Sequence, residues 1–161
     1  MENLEEVIFY KLENAIKTYR QLAQRNITTA GFDLTVDQWL IMKVLLEKGE
    51  LKQNEIAEKV FKDAASVTRI IDLLINKEYL LREVHDNDRR RSQLRLTAKG
   101  KSILSKVQVI IQNNRKLALN EISEGKIKEM SKTLSTIISN CKSKQSKMKS
   151  SRIHSLEKYM D

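Results

Sequence analysis

Not one of the 161 residues is proline, and only four are glycine. At average usage a chain of this length carries roughly 8 prolines and roughly 11 glycines. Proline breaks helices by removing a donor and clashing with the preceding turn, and glycine weakens them through its backbone freedom. A chain nearly free of both is built from long helices with few interruptions. Its apolar fraction of 40% is enough for one packed domain of ordinary size. The single cysteine excludes an intramolecular disulfide and fits a reducing cytoplasm. The opening Met1-Glu2-Asn3-Leu4-Glu5-Glu6 has neither the basic region nor the apolar run of a signal peptide, and no stretch approaches about 18 uncharged apolar residues. The expectation is a soluble cytoplasmic protein with no membrane partner.

The net charge of +9 is unevenly distributed. Residues 1–50 carry −2, residues 51–101 carry +4, residues 102–141 carry +3 and residues 142–161 carry +4. Charge placed this way points to particular surfaces that meet a polyanion, nucleic acid above all, although a solvated basic surface has the same composition.

Leu4, Val7, Ile8, Leu12, Ala15, Ile16, Tyr19, Leu22 and Ala23 recur at helical spacing and predict a long amphipathic first helix. Gly31 interrupts it. Thr35-Val36-Asp37-Gln38 has the form of a capping box, in which a hydroxyl caps the first turn and an amide three residues on reaches back to its N–H. The second helix then runs through Trp39, Leu40, Met42, Val44, Leu45 and Leu46 to Gly49.

Shorter elements follow. Gln53 to Val60 reads as a two-turn helix with Ile56 and Ala57 inward, and Phe61-Lys62 is a tight connection. Asp63 caps a further helix through Asn76. Val67, Ile70, Ile71, Leu74 and Ile75 lie on its inner side, leaving Ser66, Thr68, Arg69 and Asp72 outward. Two helices joined by so short a turn have the shape of a helix-turn-helix. Tyr79–His85 and Ser92–Leu96 alternate partially and predict a hairpin, with Asp86-Asn87-Asp88-Arg89-Arg90-Arg91 at its tip. Three adjacent arginines repel one another and add nothing to a core, but they suit phosphates or a narrow minor groove.

Thr97 caps a long helix with Ile103, Leu104, Val107, Ile110, Ile111, Leu117 and Ala118 in register. A last helix begins near Ser123 and carries Ile127, Met130, Leu134, Ile137, Ile138 and Cys141. Residues 142–151 are basic and Ser-rich, and read either as a fraying helix end or as a flexible tail. The terminal helices flank a compact central module and have more apolar surface than they can hide in one chain. A second copy is the expected cover, and a two-fold dimer places two recognition helices roughly 34 to 36 Å apart, one duplex turn.

This pattern resembles the MarR family of bacterial transcriptional regulators. The resemblance rests on Leu51-Lys52-Gln53-Asn54-Glu55-Ile56-Ala57, on Ser66-Val67-Thr68-Arg69-Ile70-Ile71-Asp72-Leu73-Leu74, and above all on Asp88-Arg89-Arg90 ahead of Leu96-Thr97-Ala98-Lys99-Gly100. It implies a mainly α fold with a small β-hairpin wing, a winged helix-turn-helix with N- and C-terminal dimerisation helices. The implied boundaries are 4–30 and 102–141 for the dimerisation helices and 35–100 for the DNA-binding module, with 142–161 a basic extension outside the usual pattern. It further implies that Ser66, Thr68 and Arg69 meet bases and phosphates in the major groove. Arg90 would reach the minor groove, with Asp88 orienting it and Arg89 and Arg91 on the backbone; Gln53, Asn54 and Lys62 complete the candidate set. Only the resemblance proposes a small aromatic effector, with Tyr19, Phe32, Trp39 and Met42 as cavity-lining candidates, against ordinary core as the other reading. Two departures stand out: Lys52 replaces the usual Thr or Ser cap, leaving Glu55 half a capping box, and Glu78 replaces the usual Gly before Tyr79.

No enzyme signature accompanies these features. His85 and His154 are far apart and outside any metal-spaced cluster, no glycine loop is available to cradle phosphate, and no nucleophile elbow is present. Catalytic residues, metal and cofactor are all expected to be absent. Cys141 continues the apolar stripe of the last helix and reads as a core or interface residue rather than a redox sensor. The competing reading is an architectural or nonspecific DNA-binding protein without an effector.

Overall fold

The computed structural model describes residues 3–49, 51–85 and 88–157, with side chains described for all of these but 84–92 and 145–157. A short 3-10 turn, Leu4–Glu6, precedes α1 (Ile8–Thr29), α2 (Val36–Lys48), α3 (Gln53–Val60) and α4 (Ala64–Asn76). The hairpin β1 (Leu80–His85) and β2 (Asp88–Leu96) follows, then α5 (Ala98–Ala118) and α6 (Glu124–Glu157). The chain divides into two compact units, residues 1–118 and 119–161.

In the first unit, α2 is the helix around which the others assemble. Its Val36, Trp39, Ile41, Met42 and Leu45 are buried and meet Ala23 and Ile27 of α1, Ile56, Ala57 and Val60 of α3, Val67, Ile71 and Leu74 of α4, and Leu104, Val107 and Ile111 of α5 in one core. The sequence sets its ends. The Thr35 hydroxyl accepts the Gln38 N–H at 3.1 Å, while the Gln38 carboxamide accepts the Thr35 N–H at 3.0 Å. At the other end, Gly49 takes φ +69, ψ −130, a region that side chains resist.

Only the C-terminal half of α1 reaches this core. Leu4, Ile8, Phe9 and Ile16 are between 56 and 61% exposed, so the apolar stripe read along the first helix is buried at one end and open at the other. The hairpin is antiparallel, with Leu80 opposite Leu96 and Val84 opposite Ser92, and an irregularity follows between Val84 and His85. Its root is tightly bound: the Thr97 N–H donates to the Tyr79 carbonyl at 3.1 Å, and the Thr97 hydroxyl donates to the Glu78 carbonyl at 2.6 Å. The same hydroxyl oxygen accepts the Gly100 N–H at 2.9 Å and so caps α5.

The second unit contains α6, a continuous helix of 34 residues that runs through the Lys- and Ser-rich extension to Glu157. Met130 and Ile138 are 43 and 55% exposed. Cys141 is exposed as well, so of the core or interface places that its stripe suggested it does not take the core one. No described helix is long and apolar enough to cross a membrane.

Gly100 explains the glycine of Leu96-Thr97-Ala98-Lys99-Gly100. A Cβ there would lie 2.1 Å from the Tyr79 carbonyl oxygen, a backbone atom that cannot swing aside. Gly100→Ala is therefore expected to lower stability by about 1 to 3 kcal/mol, the usual range for overpacking. Urea unfolding checks this, and an unchanged midpoint would refute the close approach.

Candidate nucleic-acid interface

The helix-turn-helix is made by local chemistry. At the end of α3, Phe61 adopts the left-handed conformation at φ +56, and the Lys62 N–H closes the turn on the Ala57 carbonyl at 3.0 Å. Asp63 then starts α4: one carboxylate oxygen accepts the Ser66 N–H at 2.8 Å and the other accepts the Ser66 hydroxyl at 2.6 Å. At the start of α3, Lys52 contributes no side-chain cap. The Glu55 carboxylate accepts the Lys52 N–H at 2.7 Å, which is the half capping box that the sequence leaves in place.

These elements leave part of the expected contact set exposed and join two of its members. Thr68 and Arg69 are exposed on α4 and Asn54 is exposed on α3. Gln53 joins the two helices by donating from Nε2 to the Thr68 hydroxyl at 3.2 Å, and that hydroxyl donates to the Ala64 carbonyl at 2.9 Å. Ser66 is partly buried and caps its own helix through Asp63. Lys62 is turned inward: its Nζ lies 2.9 Å from Asp37 Oδ2, at the start of α2. Asp88, Arg89, Arg90 and Arg91, expected at the hairpin's tip, lie in β2 itself, which begins at Asp88 rather than Ser92; their side chains fall outside the described residues.

At the wing root Glu78 stands at φ +60, the left-handed conformation that explains why glycine suits this position. Its carboxylate lies 2.7 Å from Lys99 Nζ, and that hydrogen bond holds the Glu78 carboxyl below its ordinary pKa and the Lys99 ammonium above its own. Lys99 also lies over the Tyr79 ring, 5.6 Å from its centroid. Further along, Arg82 of β1 reaches Asp72 of α4 at 3.8 Å, and Arg95 of β2 pairs with Glu83 at 2.9 Å.

The structure places the four candidate effector residues in different surroundings. Trp39 and Met42 are buried in the core, at 4% and 0% exposure. The Trp39 ring lies under the Arg115 guanidinium at 5.9 Å, and its indole N–H has no acceptor among the described residues. Tyr19 is half-buried on α1, and Phe32 borders a hollow of about 350 Å³ with Gln24, Thr28 and Asp33. A larger cleft of about 610 Å³ opens between α1 and the start of α2, lined among others by Leu12, Ile16, Lys17, Arg20, Val36 and Asp37. Periodicity could not reveal it, because a helical stripe does not say how α1 folds back on the start of α2 across the connection 30–35.

Asp37 stands where this cleft meets the helix-turn-helix. Its Oδ1 pairs with Arg20 of α1 and its Oδ2 with Lys62. Partial burial works to raise its pKa, but the hydrogen bonds from Lys62 and Arg20 outweigh that effect and leave the carboxyl below its ordinary range. In the sequence Asp37 is only an acidic residue in a first helical turn; nothing there joins it to Arg20 and Lys62.

Two helices locked by a tight turn, a hairpin directly behind them and a long helix from its base make residues 35–100 a winged helix-turn-helix. Residues 34–92 match the model of the MarR family, and the winged module belongs to that family. Among curated proteins, the HTH-type transcriptional regulator SarZ of Staphylococcus aureus is 27% identical over 96 residues, which are 58% of this chain and 65% of SarZ. The match therefore spans slightly less than two thirds of that relative's length. Among solved structures, BpsR of Bordetella bronchiseptica, whose DNA binding is regulated by 6-hydroxynicotinic acid, superposes with a TM-score of 0.76 at 17% identity, over 85% of this chain and 96% of BpsR. CouR of Rhodococcus jostii RHA1, solved with p-coumaroyl-CoA, gives 0.74 at 17% identity, over 85% of this chain and 95% of CouR. At these identities the likeness to BpsR and CouR is one of fold.

Asp63 provides a test of the recognition-helix cap. The Ser66 hydroxyl and the Ser66 N–H hold its carboxyl below the ordinary aspartate range. A depressed native pKa contributes stability that is complete above the unfolded value, about 3.9, and is lost as pH falls through the native value. Asp63→Ala is therefore expected to be less stable than the parent at pH 7, with the gap closing toward pH 3. Urea midpoints at both pH values check this; a gap independent of pH would show that the carboxylate is not the cap.

Proposed function

We propose that the chain is a sequence-specific double-stranded DNA-binding transcriptional regulator, acting in the cytoplasm as a homodimer on a palindromic operator and serving as a repressor. The observation that carries this reading is the hydrogen bond from Gln53 of α3 to Thr68 of α4, with Asn54 and Arg69 exposed on the same two helices. Short polar groups and a guanidinium match base edges and phosphates in a major groove. The wing sequence Asp88-Arg89-Arg90-Arg91 supplies cations suited to an adjacent minor groove. A second copy accounts for Leu4, Ile8, Phe9 and Ile16, which a monomer leaves in water. No catalytic, metal or cofactor role is assigned.

For a small aromatic effector, the favoured location is the cleft between α1 and α2 rather than the core around Trp39 and Met42. Its wall combines apolar Leu12, Ile16 and Val36 with Glu13, Asp37, Arg20 and Lys17, and Lys17 offers a cation to a compact aromatic acid beside the Arg20–Asp37 pair. BpsR, regulated by such an acid, supports this choice of ligand class.

Selection of bound sequences from a random DNA pool is the deciding experiment. A two-fold motif supports the regulator, and no motif supports the architectural reading, which the basic extension 142–161 favours. On the selected duplex, Arg90→Ala is expected to weaken binding by about 1 to 3 kcal/mol; unchanged affinity would remove Arg90 from the interface. Deleting residues 142–161 is expected to preserve sequence preference and flatten the salt dependence. An identical slope would exclude the extension from phosphate contact.

A further inference from the structure

We propose that the segment Asp33–Asp37, from the end of the α1–α2 connection into the first turn of α2, is a clamp that sets the pose of α4, with Asp37 and Asp33 as its two anchors and Lys62 and Lys77 as positioning residues. The geometry is specific. Lys62, immediately before the Asp63 cap, places Nζ 2.9 Å from Asp37 Oδ2. Lys77, the residue that ends α4, places Nζ 2.9 Å from Asp33 Oδ2 and 2.9 Å from the Asp33 carbonyl oxygen. Two acids four positions apart thus hold cations at opposite ends of a 13-residue helix. The lysine side chains are 29 and 25% exposed and lie along the protein; Asp37 is 26% exposed and Asp33 89%, so the Asp37 end is the tighter of the two.

The clamp is itself fastened to α1. Arg20 pairs with the other oxygen of Asp37. One turn further along α1, the Gln24 carboxamide accepts the Val36 N–H at 3.0 Å and donates to the Leu34 carbonyl at 3.3 Å. Burial of Val67, Ile71 and Leu74 holds α4 against the core, but apolar contact is non-directional and tolerates small slides and rotations. Bridges at both ends of a helix remove that freedom. Each partly exposed ion pair adds little to folding stability, so the consequence falls on the geometry presented to DNA. This inference rests on the DNA-binding reading for its functional consequence, though not for the clamp itself.

The test uses a sign that simple electrostatics reverses. Asp37→Asn and Asp33→Asn each make the protein more positive, which by charge alone tightens DNA binding. The clamp predicts the opposite: Asp37→Asn weakens binding to the selected duplex roughly two- to thirtyfold, with an almost unchanged urea midpoint. Lys62→Gln weakens it with no change in salt slope, Lys62→Arg retains it, and Lys62→Gln combined with Asp37→Asn is no weaker than Lys62→Gln alone. A phosphate-binding Lys62 would instead lower the slope by about 1 on removal, whatever residue stands at 37. Amide hydrogen exchange on the DNA-free protein gives a separate readout: Asp37→Asn is expected to accelerate exchange in the first turns of α4 and leave α5 unchanged. Binding of Asp37→Asn as tight as the parent's or tighter, a slope change of about 1 for Lys62→Gln, or unaltered exchange in α4 overturns the clamp. If the parent selects no DNA motif, the regulator reading fails and the exchange measurement alone decides the clamp.

Discussion

The fold depends on the burial of α2. Its Val36, Trp39, Ile41, Met42 and Leu45 project over more than half of the helix circumference and meet α1, α3, α4 and α5 in one core. Burying a side chain of this size contributes roughly 1.5 to 3 kcal/mol, so the helix with the most buried side chains becomes the module's axis and the others arrange their apolar faces against it. This explains why an isolated stripe on α3, only eight residues long, forms a stable helix: Ile56, Ala57 and Val60 close on a surface that α2 has already provided.

Apolar packing brings these elements together, and a small number of polar links decide their angles. The start of α2 is where those links converge. Gln24 satisfies groups on Leu34 and Val36, Arg20 and Lys62 share Asp37, and Asp33 takes Lys77. The same stretch, Asp33–Asp37, borders the cleft lined by Lys17, Arg20 and Asp37. An occupant of that cleft would contact the side chains that fix both α1 and the turn ahead of α4, so a change in ligand occupancy and a change in recognition-helix pose share a physical route. A ligand shifts such an equilibrium only by its difference in affinity for the two poses.

Much of this architecture was legible in the sequence, because local chemistry sets it. The capping box of Thr35 and Gln38, the glycine stop at 49, the bounds of α3, the Asp63 cap and the hairpin between Leu80 and Leu96 all follow from residue type and spacing. Through-space relations were not legible. Lys62 looks like one more cation beside a recognition helix until Asp37, 25 positions earlier, is found against it. Trp39 and Met42 have the same composition whether they line a cavity or fill a core, and only the packing of α5 over α2 assigns them to the core. Cys141 continues an apolar stripe in sequence, yet it is exposed because periodicity specifies a helical face without specifying what covers it.

Two residues with left-handed backbones bracket the recognition helix, Phe61 before it at φ +56 and Glu78 after it at φ +60. Neither is glycine, and for an L-residue with a Cβ this conformation is unfavourable. Phe61 is moreover 90% exposed, so packing of its ring does not compensate locally. Strained backbone persists where the surroundings over-determine it. Here the surroundings are identifiable: the Lys62 N–H bond to Ala57 and the Lys62 bridge to Asp37 on one side, and the bonds of Thr97 to Glu78 and Tyr79 on the other. The helix proposed to face DNA is therefore the one whose entry and exit are both held against local preference, which is expected if its orientation, rather than its mere presence, is what the fold has to specify.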